Sequence, residues 1–191
     1  MLYGVQKMRV ITGTARGKNL VTLPGEDLRP TGARVKEGLF SAIQFDIEGR
    51  KVLDLFAGCG QLGIEALSRG AEKAVFVDES AAAIGIINGN LKNCGLDQKA
   101  TVIKNDFSSY LAFCKETFDI VFIDPPYRKG LYEKALVGAV SRTADHGMIV
   151  CEYPFDVTPP QEVGGFSVWR SYKYGKVFVS IYKKAVNSDE N

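Results

Sequence analysis

The sequence predicts an α/β protein built on a mostly parallel sheet covered by helices on both faces, finished by an antiparallel hairpin and preceded by a small basic hairpin and helix. Three observations predict it. From Lys51 onward, short apolar runs alternate with stretches of helical periodicity, the pattern of a parallel sheet whose strands are buried on both sides. A glycine-rich turn, Gly58-Cys59-Gly60-Gln61-Leu62-Gly63, follows the first of these runs directly. The last part of the chain changes to two β-rich stretches around Lys173-Tyr174-Gly175.

In chain order, Arg9-Val10-Ile11-Thr12-Gly13 and Lys18-Asn19-Leu20-Val21-Thr22-Leu23 read as short strands joined by Thr14-Ala15-Arg16-Gly17, a hairpin with a basic turn. Pro24 and Gly25 end it. Val35, Leu39, Phe40 and Ile43 recur at helical spacing, which predicts an amphipathic helix over residues 33–45. Parallel strands are expected at 52–56, 74–78, 101–104, 118–123 and 148–152, with helices at 62–69, 80–93, 107–115 and 131–143 between them. Gly95 is placed to stop the helix at 80–93. Strands at 166–172 and 176–182, with the turn at 173–175, form the closing hairpin. The chain thus divides into a basic N-terminal unit (1–45), a main α/β domain (46–185) and a disordered tail (186–191). Gly85 and Gly89 are poor helix formers inside the helix at 80–93, and the sequence offers no reason for them.

With 191 residues, 46% of them apolar, the chain can bury one substantial core. Its longest apolar runs fall well short of the roughly 20 residues a membrane span needs. Residues 1–9 lack the apolar stretch and cleavage site of a secretory signal, so a cytoplasmic protein with no membrane partner is expected. Cys59, Cys94, Cys114 and Cys151 are far apart with no C-x-x-C pair, and His146 is the sole histidine; neither a metal site nor a disulfide is expected. The net charge of +2 hides an asymmetry: Lys7, Arg9, Arg16, Lys18, Arg29, Arg34 and Lys36 face only Glu26 and Asp27 in the same stretch. Such a run is either a basic arm for a polyanion or an ordinary solvated face, and charge alone does not decide.

Val52-Leu53-Asp54-Leu55-Phe56-Ala57 leads into Gly58, Gly60 and Gly63: a strand, a tight turn and a helix start, where a ligand approaches the backbone. The spacing matches the G-x-G-x-x-G of dinucleotide sites, whose helix start holds a pyrophosphate. Asp54 argues against that ligand, because a carboxylate beside the turn repels a pyrophosphate but holds an ammonium group. S-adenosyl-L-methionine carries such an ammonium near its sulfonium. Asp78, with Glu79 as a substitute, ends the next strand, the usual place for a carboxylate that accepts from ribose hydroxyls. Asp106 ends the third strand, placed to meet the adenine amine while Phe107 covers the base. Asp78 and Asp106 each also suit a helix N-cap.

After the apolar run at 118–123 comes Asp124-Pro125-Pro126-Tyr127. Two consecutive prolines stiffen the backbone and withhold both amide donors, leaving carbonyl acceptors beside an aromatic ring. That arrangement suits a planar base whose exocyclic amine donates hydrogen bonds, although a proline stop after a strand explains the prolines by themselves. The amine of guanine or adenine is a poor nucleophile, its lone pair being delocalised into the ring. Asp124 and the Pro125 carbonyl are suited to accept its protons and free the lone pair for an in-line displacement, with Tyr127 stacked on the base. A base paired in a helix does not reach such a pocket, so the substrate is expected to be single-stranded, looped or flipped out. Arg128 and Lys129 follow the turn and are placed for a neighbouring phosphate.

A parallel α/β sheet finished by an antiparallel hairpin is the arrangement of class I methyltransferases, whose fold is Rossmann-like and three-layered. Together with the two turns, Met8-Arg9-Val10-Ile11-Thr12-Gly13, the segment from Arg29-Pro30-Thr31 to Leu39-Phe40, Leu67-Ser68-Arg69-Gly70-Ala71 and the ending from Tyr174-Gly175 to Ser180-Ile181-Tyr182 resemble the bacterial small-subunit ribosomal RNA guanine-N2 methyltransferases. The resemblance implies methylation of a guanine 2-amino group in 16S ribosomal RNA, within the small subunit or an assembly intermediate. It also implies S-adenosyl-L-methionine as methyl donor, S-adenosyl-L-homocysteine as product, no metal, and a monomer. It assigns Asp124, Pro125 and Tyr127 to catalysis, and Asp54, Phe56, Ala57, Gly58, Gly60, Gly63, Asp78, Glu79, Asp106 and Phe107 to the cofactor. Arg9, Arg16, Lys18, Arg29, Thr31, Arg34, Arg128 and Lys129 fall to RNA, with the basic hairpin near the catalytic mouth. Because Asp-Pro-Pro-Tyr is shared with DNA adenine and protein glutamine methyltransferases, those substrates stay open, as does a non-catalytic RNA-binding assembly factor.

Overall fold

The computed structural model describes residues 8–23, 30–126 and 130–184. After an N-terminal segment comes helix α1 (Pro30–Ala42), then alternating strands and helices: β1 (Lys51–Asp54), α2 (Gln61–Ser68), β2 (Lys73–Asp78), α3 (Ala81–Cys94), β3 (Ala100–Lys104), α4 (Phe107–Phe113), β4 (Phe118–Ile123), α5 (Leu131–Val140) and β5 (Thr143–Pro154). Strands β6 (Glu162–Val163), β7 (Phe166–Tyr174) and β8 (Val177–Lys184) complete one eight-stranded sheet in the order β3-β2-β1-β4-β5-β8-β7-β6. The first five are mutually parallel and the last three antiparallel. This is the class I methyltransferase fold, with β8 inserted antiparallel between β5 and β7.

Two cores cover the two faces of the sheet. Val35, Leu39, Phe40 and Ile43 of α1 join Ile64 and Leu67 of α2 and Ile87 and Leu91 of α3 over Phe76, Phe122 and Val150. On the other face, Tyr110 and Leu111 of α4 and Ala135, Leu136 and Ala139 of α5 pack over Leu53, Val121, Ile149 and Cys151. Local chemistry sets the helix ends. The Ser80 hydroxyl accepts from the Ala83 amide to cap α3, and Gly95 at φ 67° ends it in the left-handed region open to glycine. No helix among the described residues is long and apolar enough to cross a membrane.

The structure departs from the expected elements at identifiable places. The N-terminal hairpin shrinks to a single antiparallel bridge between Arg9 and Asn19. The amides of Ile11 and Thr12 donate instead to the Glu65 carboxylate, and that of Thr14 to the Ser68 carbonyl, so they are spent on α2 and cannot form a ladder. Met8, Val10, Ala15 and Leu20 of the N-terminal segment belong to the same core as α1, α2 and α3. β7 continues through Tyr174, moving the closing turn to Gly175-Lys176. β6 was not foreseen. The expected tail at 186–191 lies outside the described residues.

Gly85 and Gly89 are exposed on α3, and a β-carbon added at either meets open space. Alanine at each position is expected to raise stability by about 0.5–1 kcal/mol through helix propensity. A higher urea midpoint with an unchanged m-value is the readout.

Candidate active site at the carboxyl ends of the parallel strands

β1 and β4 are neighbours in the middle of the sheet, and their carboxyl ends bring the glycine turn and the Asp-Pro-Pro turn together. Gly58 and Gly60 hold φ values of 54° and 81°, the region glycine reaches without strain. A β-carbon on Gly63 would lie 2.3 Å from the Phe76 ring, so this glycine lets α2 close down on the sheet. Asp54, 1% exposed, accepts from the Gly63 amide at 2.9 Å and so ties the end of β1 to the first turn of α2. Burial pushes its carboxyl up to about 7, with the nearby Asp78 adding to the rise and the Gly63 hydrogen bond opposing it.

Asp78 bridges two elements: one oxygen accepts from the Gly58 amide at 2.8 Å and the other from the Ser80 amide at 2.8 Å. Each oxygen keeps a further acceptor position for a ribose hydroxyl. Glu79 is exposed beside it. Asp106 takes the N-cap role, its Oδ1 accepting from the Ser108 and Ser109 amides at 3.1 and 3.0 Å and from the Ser108 hydroxyl at 2.8 Å. Those hydrogen bonds, led by Ser109, hold its carboxyl down at about 2. Phe107 meets Phe56 with ring centroids 5.0 Å apart, so the two rings expected at the cofactor stand at the same strand ends. Ala57 is buried, its amide donating to the Val77 carbonyl.

At the end of β4, Asp124 is half-buried, Pro125 buried and Pro126 exposed. Asp124 stands two residues past Phe122, whose ring packs under α1. Tyr127, Arg128, Lys129 and Arg29 lie outside the described residues, as does the Thr31 side chain. Beside the turn, Tyr132, Tyr153 and Phe178 form an aromatic row, with Tyr153 and Phe178 stacked at 5.7 Å.

Residues that the sequence reading passed over build the wall of this site. Glu65 is fully buried in α2 and gathers Ile11, Thr12, Arg69 and Lys36, the last at 3.4 Å. Lys36 is therefore not part of an exposed basic face: it is 3% exposed and donates to the Arg9 carbonyl at 2.8 Å. Asn90, also buried, donates to the carbonyls of Val21 and Cys59 at 2.9 Å each and accepts from the Val21 amide at 2.8 Å. It joins the N-terminal segment directly to the glycine turn. One residue past Gly60, Gln61 Oε1 is buried without a hydrogen-bond partner among the described residues. A lone glutamine in a helix carries no periodic signal that singles it out.

The basic residues divide. Arg34 is exposed in the N-terminal half of α1, the half nearer the strand carboxyl ends. The turn holding Arg16 packs on Ser68 at the far end of α2, with Ser68 Oγ donating to the Thr12 carbonyl and accepting from the Ala15 amide. α2 is eight residues long, which separates that turn from the glycine turn by about 12 Å. Arg16 and Lys18 are exposed at that end of α2, while the returning strand connects to the glycine turn through Val21 and Asn90. Among the described residues no group of three or more His, Cys, Asp or Glu is arranged to hold a metal.

Comparison with known proteins agrees with this architecture. YlbH of Bacillus subtilis (strain 168) is 41% identical over 182 residues, covering 93% of this chain and 99% of that protein. Ribosomal RNA small subunit methyltransferase D of Escherichia coli (strain K12) is 32% identical over 190 residues, covering 98% and 96%. The solved structure of yhhF from Escherichia coli superposes with a TM-score of 0.83 at 34% identity, covering 95% of this chain and all of that one. The model of one family matches residues 8–183, which takes in the N-terminal segment, the glycine turn, the Asp-Pro-Pro turn and the closing strands. On that match the chain belongs to the family described as Conserved hypothetical protein 95.

Proposed function

We propose that this protein is an S-adenosyl-L-methionine-dependent ribosomal RNA methyltransferase that modifies the 2-amino group of a guanine in the 16S RNA of the small subunit. The observation that carries the reading is the pairing, on adjacent central strands, of an acidic glycine cradle with a rigid Asp-Pro-Pro acceptor turn. The name of the Escherichia coli relative supports ribosomal RNA as the substrate, and the sequence resemblance supports guanine N2.

The residues present suit the cofactor. The turn takes its shape from Gly58 and Gly60 in the left-handed region, while Gly63 lets the start of α2 pack against Phe76. Asp54 and Asp78 supply negative charge for an ammonium and acceptors for ribose hydroxyls, Phe56 and Phe107 an apolar slot for adenine, and Gln61 Oε1 a buried acceptor awaiting a donor. When bound, S-adenosyl-L-methionine supplies an electrophilic methyl group on a sulfonium. Asp124 and the Pro125 carbonyl would accept hydrogen bonds from the two N–H groups of the guanine amine, draw the nitrogen toward tetrahedral geometry and free its lone pair for the methyl group. Receipt of the methyl group would leave the nitrogen cationic, and Asp124 would take the proton it sheds. Acceptors aimed at a nitrogen that gains charge stabilise the transition state more than the ground state. Tyr127 stacks on the base, while Arg9, Arg16, Lys18, Arg29, Thr31, Arg34, Arg128 and Lys129 position RNA through phosphates rather than read its sequence.

Transfer of tritium from labelled S-adenosyl-L-methionine to small-subunit RNA tests the function. Label in DNA adenine or in a protein glutamine would replace the substrate, and tight particle binding without transfer would make the protein an assembly factor. Arg34→Ala is expected to weaken RNA binding and lower its salt slope by about one, with cofactor affinity unchanged.

The state of Asp54 gives a pH dependence of known sign. Its folded carboxyl keeps a proton up to about pH 7, against a reference value of 3.8. Its contribution to the stability of the cofactor-free protein is therefore complete below the lower value and lost as pH rises through the higher. A cofactor ammonium favours the ionised form, so affinity rises from about pH 6 to about pH 8 and binding releases protons. Calorimetry in buffers of different ionisation enthalpy reads both, and Asp54→Asn is expected to flatten them.

A further inference from the structure

Resting on the guanine reading above, we infer that Glu152 is a specificity-determining residue: its carboxylate accepts the N1–H of the target guanine, next to the 2-amino group held by Asp124 and Pro125. Glu152 lies near the carboxyl end of β5. The last register pair between β4 and β5 is Ile123 with Cys151, so one step further sets Asp124 beside Glu152. Parallel strands run about 4.8 Å apart, so the two carboxylates start from neighbouring backbone positions.

The face is fixed by alternation along β5. Cys151 and Tyr153 bury into the core under α4 and α5, and Val150 into the core under α1, α2 and α3. Glu152 therefore leaves the sheet on the second of these faces, the one that carries Asp54 with its bond to α2. It is half-buried there, with Val179 of the same core as its cross-strand partner. The Cys151 thiol independently places both carboxylates close by, since Asp124 and Glu152 each act on it electrostatically and, behind burial, push it upward.

The chemistry of the base then separates guanine from adenine. Guanine presents two donors side by side, N1–H and the 2-amino group. Adenine presents its 6-amino group beside an N1 that accepts. A carboxylate at the Glu152 position completes a hydrogen bond with the first and meets a lone pair on the second, which repels it. Asp-Pro-Pro-Tyr alone accepts any planar amine; one further acceptor on the neighbouring strand makes the pocket selective. A site built to hydrogen-bond a substrate group rejects the analogue without it by large factors, because its own polar group is left unpaired.

The test uses small-subunit RNA from a strain lacking this gene, with the acceptor guanine kept or replaced by 2-aminopurine through splint ligation. 2-Aminopurine retains the 2-amino group but has an acceptor at N1. The wild-type protein is expected to prefer guanine by about 100-fold or more. Glu152→Ala is expected to lower kcat/KM on guanine about 100-fold and to leave the 2-aminopurine rate within about threefold, erasing the preference. Glu152→Gln, which keeps an acceptor oxygen without the charge, is expected to recover about tenfold on guanine. Equal losses on both RNAs, an unchanged preference, or loss of cofactor binding measured by calorimetry would overturn the inference, the last by showing that Glu152 holds the fold. Wild-type protein that transfers methyl to neither RNA overturns the guanine reading with it; transfer to guanine with the preference intact in both variants overturns this inference alone.

Discussion

Glu65→Ala is expected to destabilise the protein by about 3–5 kcal/mol, the loss that follows when one partner of a buried ion pair is removed. Four donors converge on this fully buried carboxylate: the Ile11 amide at 2.8 Å, the Thr12 amide at 3.0 Å, Arg69 Nε at 2.8 Å and Lys36 Nζ at 3.4 Å. Lys36 is the most exposed to the change. Burial already pulls its ammonium below the usual lysine value, and the Glu65 charge is the chief influence holding it up. Without that charge, the lysine must shed its proton or move. Arg69 is better protected, because it also stacks over the Phe40 ring at 5.0 Å. Replacing both Glu65 and Lys36 with apolar residues of similar length removes the uncompensated charge, and the double variant is expected to recover part of the loss. Because the same segment reaches the glycine turn through Asn90, cofactor affinity is expected to fall together with stability in the single variant. Urea denaturation and calorimetry measure the two; a stability loss below about 1 kcal/mol contradicts the hub role.

Asp124→Asn is expected to lower kcat by about 10³-fold or more while cofactor affinity stays within about twofold. Asparagine keeps the shape of the side chain and one acceptor oxygen, but it carries no charge and cannot take a proton. If Asp124 acts on the nitrogen as it acquires charge, the effect falls on kcat. If the residue only caps the strand end, the change appears in stability with kcat intact. Single-turnover transfer with saturating cofactor separates these outcomes.

The alternating order of strands and helices from Lys51 onward was readable from periodicity, because each element buries a face whose spacing the sequence records. The two turns were readable because glycine and proline impose backbone geometry that other residues do not. What could not be read were partners across long sequence separations. Glu65 meets Ile11 and Thr12 across more than 50 residues, and nothing in the local sequence distinguishes it from a solvent-facing helix glutamate. For the same reason the hairpin is shorter than its residue pattern predicts, and Lys36 is buried although it belongs to the basic run. At the site, Asp106 shows how one residue answers two readings: it caps α4 through Oδ1 and still ends its strand where the sequence placed it. Asn90 and Gln61 became visible only once α2 and α3 were packed beside the glycine turn.

The central claim is that the Asp-Pro-Pro turn and the acidic glycine cradle together methylate guanine N2 in small-subunit RNA. Its most direct test is mass spectrometry of nucleosides from small-subunit RNA of a strain lacking this gene, before and after incubation with the purified protein and S-adenosyl-L-methionine. The account predicts a gain of N2-methylguanosine at one nucleotide, with none from the Asp124→Asn protein in the same time. A new methyl group on adenine or at another position of guanine, or no new methylated nucleoside from protein that binds the cofactor, would contradict it.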